Sequence, residues 1–222
     1  MSSADYGLLA PIWAGRPVAT VTGDGALVDA MIEAGVALAR AQGVRVTPPV
    51  LDAADLAARS RAAGDPVSAL LAALDDDRLH RGATGQDILD TALMLTARRA
   101  LTLTALDLDT GIAVAARLAA EHRDTPMAAR SLARAVAPTT FGVKAAGWHQ
   151  LLSTTRRAVG ATAQALPVQL GGTGGTLASF VGMAEADAPY VPRGAAVSWE
   201  SESVPVSSSG QSQLSARGDM AS

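Results

Sequence analysis

An uninterrupted run of helix-compatible residues, from about Gln86 to about His122, limits the folds open to this chain more than any other feature. The run contains no proline, and Gly111 is its one glycine. As a single helix, its roughly 37 residues would be about 55 Å long. That length suits a helix bundle, although two nearly collinear helices meeting near Arg99 fit the pattern equally.

Shorter helices are predicted on both sides of this run. Asp24 is predicted to cap a helix over about 25–42, and Asp52 begins another that ends near residue 63. Asp65-Pro66 begins a third, with proline at the favoured first position. A helix is also predicted over 139–165. The segment bracketed by Pro126 and Pro138 is predicted to be irregular, since no alternating strand pattern appears there.

The composition supports an all-α class and excludes several functions. Hydrophobic residues make up 49% of the chain but aromatic residues only 3%, so Ala, Leu and Val must fill the core, which favours close-packed helices. The absence of cysteine excludes disulfides and thiolate metal sites. A net charge of −3, no signal-peptide layout and no apolar run of about 18 residues predict a cytoplasmic protein with no nucleic-acid or membrane partner.

The segment RLHRGATGQDILDT, residues 78–91, leads into the long helix. Backbone N–H groups at the start of a helix, together with the helix dipole, can bind an anion such as a carboxylate. Thr84 adds a hydroxyl donor, and His80 adds a group that can donate, accept or carry charge. The alternative is an ordinary helix start, with Thr84 as N-cap and Asp87 as its capping-box partner.

HRGATGQDILDT resembles the first signature region of the fumarase/aspartase superfamily, His-x-Gly-x-Thr-Ser-x-Asp, and within it the bacterial 3-carboxy-cis,cis-muconate cycloisomerases. Residues 124–148 resemble the second signature region, 166–180 the glycine-rich segment that follows, and 27–42 the opening helix. The four blocks occur in the family's order. The resemblance covers about the N-terminal half of the family's length.

The resemblance implies a division into an N-terminal helical domain (1–100) and the first long helices of a central helix bundle (101–182). The Ser/Pro/Gly-rich tail at 183–222 is predicted to be disordered. The superfamily also implies a homotetramer whose active sites each combine three signature regions from three subunits. A complete paralogue is the alternative partner, expected if the chain is a noncatalytic subunit.

The chemistry that the resemblance implies is proton abstraction next to a carboxylate and loss of a group from the neighbouring carbon, or the reverse. It needs no metal or organic cofactor and acts on a small dicarboxylate or tricarboxylate. The cycloisomerase branch converts 3-carboxy-cis,cis-muconate into 4-carboxymuconolactone in protocatechuate degradation, the beta-ketoadipate pathway.

Residues matching the family motifs become the site candidates, and His80 is the catalytic one. Gly85 stands where the family has serine, which removes a hydrogen bond worth about 1.5–3 kcal/mol to a charged group. The GGTGG sequence at 171–175 lacks the lysine of a phosphate-binding loop and is interpreted as a close-packed turn. The substrate-binding candidates are Thr84, Gly85, Gln86, Asp87, Arg130, Ser131, Lys144, Gln169 and Thr173.

The chain departs from the family where protons are transferred. Leu132 and Ala135 replace residues that are His or Trp in relatives, and neither can transfer a proton. No Gly-Ser-Ser-x-Met-Pro-x-Lys-x-Asn loop, which supplies the family's serine base, follows. We therefore expect a truncated or frameshifted cycloisomerase-like protein without turnover. A lyase that eliminates ammonia, nitrite or an amine from a succinyl substrate, and a noncatalytic helical subunit, remain as alternatives.

Overall fold

The computed structural model describes Ile12 and residues 14–180, and these residues are mostly helical, which confirms the predicted class. The predicted tail at 183–222 lies outside the described residues. The helices are α1 (Pro17–Thr22), α2 (Asp24–Ala41), α3 (Ala53–Ala63), α4 (Pro66–Leu74), α5 (Gly85–Glu121) and α6 (Phe141–Ala165), with short 3-10 turns at Asp77–Leu79 and Thr173–Gly175 and two strands, β1 (Pro126–Ser131) and β2 (Arg134–Thr140).

The long predicted helix exists as α5, a single element of 37 residues. It passes through Arg99 without a break, so the alternative of two collinear helices is wrong. The predicted domain boundary at residue 100 falls inside this helix, and the division into domains stays a prediction.

A core of small and aliphatic side chains joins α2, α4, the 77–79 turn and the first half of α5. Met31, Val67, Leu70 and Leu79 are its largest fully buried side chains. Gly35 lets α2 approach the 77–79 turn, because a Cβ at this position would lie only 2.8 Å from the Leu79 carbonyl oxygen.

The sequence predicts an irregular segment between Pro126 and Pro138, and this prediction is wrong. β1 and β2 form an antiparallel hairpin in which Pro126 pairs with Thr140 and Ser131 with Arg134, with an irregularity between Ala128 and Arg130. Both strands are edge strands, where proline is tolerated, so the prolines do not exclude the hairpin.

Two helix starts also differ from the predictions. α2 begins at Asp24 with Gly23 as its N-cap, so Asp24 lies in the first turn and interacts with the helix dipole rather than capping. α6 begins at Phe141, not at Thr139, because Thr140 ends β2 and its hydroxyl caps the helix by accepting from the Val143 N–H (3.3 Å).

α6 runs antiparallel along the second half of α5, joined to it by the hairpin. Arg156 donates to Asp109 (2.9 Å), and the Leu152 side chain lies over Gly111. Leu106 on α5 and Val143 and Leu151 on α6 remain more than half exposed. Within residues 14–180, no helix is both long enough and apolar enough to span a membrane.

Replacing Asp65 by alanine is expected to lower the free energy of unfolding by about 1 kcal/mol at pH 7, since Asp65 is the N-cap of α4. Its carboxylate accepts from the Ser68 hydroxyl (2.5 Å) and from the backbone N–H groups of Ser68 (2.8 Å) and Val67 (3.0 Å). These bonds, the Ser68 hydroxyl first, hold the pKa of Asp65 below its ordinary value.

A lowered pKa in the folded state stabilises the protein above the unfolded-state pKa of about 3.9, and this stabilisation disappears as the pH falls through the folded pKa. The difference in the free energy of unfolding between wild type and Asp65→Ala should therefore have its full value at pH 7 and shrink below about pH 4. Urea denaturation at several pH values measures it. Ser68→Ala, which removes one of the three bonds, should move this loss to higher pH; a pH-independent difference would contradict the assignment.

Candidate active site

The turn that leads into α5 presents two unpaired backbone donors. Thr84 is the N-cap of α5 and forms a capping box with Asp87, which confirms the simpler interpretation of this segment. The box leaves the N–H groups of Gly85 and Gln86 without a hydrogen-bond partner among the described residues. The Thr84 hydroxyl can still donate its proton while its oxygen accepts. Capping and anion binding are therefore compatible at this helix start.

His80 lies just before this turn, at the end of the 77–79 turn. Its Nε2 atom is buried and has no hydrogen-bond partner among the described residues. Close by, the Arg78 guanidinium donates to both oxygens of Asp76 (2.8 and 2.7 Å), and this hydrogen bonding holds the pKa of Asp76 below its ordinary value. Because Asp76 and Arg78 form an ion pair, the two side chains together add little net charge to the site.

Asp87 is buried, with only 3% of its surface exposed, and its carboxylate accepts three backbone hydrogen bonds. Oδ1 accepts from Gly171 (2.7 Å), and Oδ2 accepts from Gly172 (2.9 Å) and from Thr84 (2.9 Å). The side chain therefore joins the start of α5 to the glycine-rich segment.

Thr91, one helical turn further along α5, makes a second connection to the same segment. Its hydroxyl donates to the Gln169 carbonyl (3.1 Å) and accepts from the Gln169 N–H (3.2 Å). Beyond this point the chain turns at Gly172, which has a φ of +67° and where an added Cβ would lie 3.2 Å from the Gly82 carbonyl oxygen. The first signature region and the glycine-rich segment thus form one corner.

The second signature region lies elsewhere. Arg130 and Ser131 are exposed on the hairpin, and Lys144 lies near the start of α6 with its Nζ 5.6 Å from the Trp148 ring centroid. The hairpin follows the C-terminal end of α5, whereas Thr84 caps the N-terminal end. The two regions are therefore separated by the length of this helix, about 55 Å.

The remaining candidates flank the corner. The Gln86 side chain donates to Asp90 (2.5 Å), and Gln169 and Thr173 are exposed. The predicted turn at 171–175 is present, with a 3-10 turn at Thr173–Gly175 and positive φ at Gly172, Gly174 and Gly175. Its close packing is confined to Gly171 and Gly172. Among residues 14–180 and Ile12, no group of three or more His, Asp or Glu side chains could hold a metal ion.

Comparison with known proteins assigns the family. The family model described as "Lyase" matches residues 57–191, more than half of the chain. The chain belongs to the fumarase/aspartase superfamily of lyases.

Relatives within the superfamily differ in their named reactions. The chain is 46% identical to a nitrosuccinate lyase from Streptomyces davaonensis over 201 residues, which cover 80% of this chain and 42% of the relative. It is 32% identical to a 3-carboxy-cis,cis-muconate cycloisomerase from Bradyrhizobium diazoefficiens over 205 residues, which cover 81% of this chain and 46% of the relative.

A solved superfamily structure has the same fold. The 3-carboxy-cis,cis-muconate lactonizing enzyme from Pseudomonas putida matches with a TM-score of 0.71 and 27% identity, over 81% of this chain and 46% of that structure. The chain therefore spans less than half the length of the superfamily members it matches.

The family motif indicates Asp87 but not Thr91 as a candidate residue of the site. The two residues are four positions apart, so they share one face of α5. The spacing could have indicated Thr91, but no local pattern indicates its partner, the Gln169 backbone, which lies 78 positions further along the chain.

Proposed function

We propose that this chain forms the carboxylate-binding corner of a lyase that eliminates nitrite from a nitro-substituted succinate and leaves fumarate. The carboxylate site is supported by two unpartnered N–H groups, those of Gly85 and Gln86. They lie beside the Thr84 hydroxyl at the start of a 37-residue helix. The choice of nitrite as leaving group is supported by the 46% identity to a nitrosuccinate lyase, against 32% to the cycloisomerases.

In this reaction a proton leaves the carbon next to one carboxylate, and the developing charge spreads onto that carboxylate. The C–N bond on the neighbouring carbon then breaks, nitrite takes the electron pair, and a double bond forms. Donors aimed at the carboxylate stabilise the intermediate. We assign this role to Thr84, Gly85 and Gln86, and we assign His80, with its buried and unpartnered Nε2, to proton transfer or to a substrate oxygen.

Arg130, Ser131 and Lys144 would then contribute to a site shared with another subunit. They lie at the opposite end of α5 from Thr84, too far to share one small substrate with it. A homotetramer would bring the two ends together from different chains. Gln169 and Thr173 border the corner and complete the set of substrate neighbours.

Nitrite release is the test of the proposed reaction. The proposal replaces the expectation of no turnover drawn from the sequence: with His80 assigned to the proton, the chain incubated with nitrosuccinate is expected to release nitrite and fumarate in equal amounts and to leave 3-carboxy-cis,cis-muconate unchanged. Thr84→Val removes one donor to a charged group and should raise KM about tenfold or more. Thr102→Val, the same substitution on the exposed side of α5, should have no effect. Release of nitrite without fumarate, or equal KM values for Thr84→Val and wild type, would contradict the proposal.

Two other functions are favoured by specific observations. The 0.71 TM-score to a lactonizing enzyme favours cycloisomerisation, which predicts lactone formation from 3-carboxy-cis,cis-muconate in the same assay.

The exposed Leu106, Val143 and Leu151 favour a noncatalytic helical subunit, because apolar side chains on neighbouring helices suit burial against a partner. That function predicts a stable complex with a complete paralogue and no product from either substrate.

A further inference from the structure

The glycine-rich segment reaches α5 without regular secondary structure of its own. Residues 166–172 form neither helix nor strand. The N–H groups of Gln169, Gly171 and Gly172 instead donate to two side chains of α5, Thr91 and Asp87. Buried backbone donors need partners, so these side chains decide where the segment lies.

We infer that Asp87 and Thr91 are positioning residues that lock the glycine-rich segment against the start of α5, and that they act on substrate through the backbone. This role differs from the direct substrate contact that the family motif implies for Asp87. The clamp is defined here as the four hydrogen bonds that join these two side chains to Gln169, Gly171 and Gly172.

The clamp requires side chains of α5 that can accept hydrogen bonds from backbone N–H groups. An ionised carboxylate only accepts, with two oxygens, and Asp87 meets three N–H groups that only donate. One of the three belongs to Thr84, so the same carboxylate fixes both the N-cap residue of the proposed site and the segment beside it. The threonine hydroxyl both donates and accepts, which matches the paired carbonyl and N–H of Gln169.

The clamp also explains why position 172 is a glycine. With Gly171 and Gly172 drawn onto Asp87, the backbone takes a φ of +67° at Gly172 and approaches Gly82, the residue two positions before Thr84. A side chain at Gly172 would be strained in this conformation and would press on the turn. The consequence for the site rests on the proposed function, whereas the clamp itself does not.

Hydrogen exchange of the backbone amides tests the clamp without turnover. In the wild-type chain, the amides of Gln169, Gly171 and Gly172 should exchange at least about tenfold more slowly than they would in an unfolded peptide. Thr91→Val should speed exchange at Gln169 about tenfold or more while α5 and α6 keep their protection. Thr91→Ser, which keeps the hydroxyl, should restore the wild-type rate, and Thr102→Val should leave it unchanged.

Wild-type amides that exchange as in an unfolded peptide would overturn the clamp, as would equal exchange in Thr91→Val and wild type. The positioning role predicts in addition that Thr91→Val raises the KM for nitrosuccinate several-fold with a smaller change in kcat, and that Thr91→Ser reverses this. Absence of nitrite release from wild type would contradict the proposed function alone, since the exchange measurement needs no substrate.

Discussion

Replacing Gly142 by alanine is expected to lower the free energy of unfolding by about 3 kcal/mol, at the upper end of the cost of overpacking. The added Cβ would lie 2.7 Å from the Arg123 Cα and the His122 carbonyl oxygen, and 2.8 Å from the Ala119 carbonyl oxygen. All three are backbone atoms in the last turn of α5 or just after it, so no side chain can rotate away. Relief requires the two longest helices to separate.

The start of α6 cannot easily move away from the end of α5, because backbone hydrogen bonds hold the two segments together at Gly142. The N–H of Gly142 donates to the His122 carbonyl, and the N–H of Phe141 donates to the Thr125 carbonyl, each at 2.9 Å. Moving α6 away to accommodate a methyl group would stretch both bonds. His122 also packs its ring edge-on against Phe141, which would be displaced with the helix.

The matched control for Gly142→Ala is Gly147→Ala in the same helix. A Cβ at position 147 meets nothing within 4 Å. There, alanine gains helix propensity and should raise the free energy of unfolding by about 0.5–1 kcal/mol. Urea denaturation followed by circular dichroism measures both variants. Two variants of equal stability would contradict the close packing of α6 on α5.

Helices α2 to α6 could be predicted from the sequence because their signals are local, whereas the short α1 was not predicted. α5 follows from a long run without proline, and α3 and α4 follow from Asp52 and from Asp65-Pro66. Each of these signals involves residues within one or two turns of each other, so no knowledge of tertiary contacts was needed.

The hairpin could not be predicted because its turn lacks the usual residues. Leu132 and Ala133 both adopt positive φ, 47° and 64°, where a two-residue hairpin turn normally has Asn-Gly. Leu132 is also 95% exposed, so neither hydrophobic pattern nor turn chemistry marks this position. The hairpin register is set by backbone pairing, which leaves little trace in the side chains.

The sequence indicated candidate residues for the site but not how they are arranged. The family motif indicated both the segment at 80–87 and the glycine-rich segment. Their junction at Asp87 depends on a contact across 84 and 85 positions, which no local pattern encodes. The resemblance assigned Thr84 and Arg130 to signature regions from different subunits, and α5 holds the two residues at opposite ends of one chain.

Replacing Asp87 by asparagine is expected to lower the free energy of unfolding by about 3 kcal/mol, because a hydrogen bond to a charged group is worth about 1.5–3 kcal/mol and a buried donor would lose its partner. If the amide oxygen replaced Oδ2, the amide nitrogen would face the Gly171 N–H at about the 2.7 Å that now separates that group from Oδ1. In the flipped orientation it would face two N–H groups, those of Gly172 and Thr84. Every orientation therefore sets one donor against another.

Asp107→Asn is the control, because Asp107 is exposed on the same helix. It should leave unfolding and nitrite release unchanged. Asp87→Asn should lower the urea midpoint and also raise KM, since displacement of Gly171 and Gly172 removes one wall of the carboxylate-binding corner. A direct substrate contact alone would change KM and leave the urea midpoint in place. The two measurements together therefore separate a residue that holds the site from one that touches its ligand.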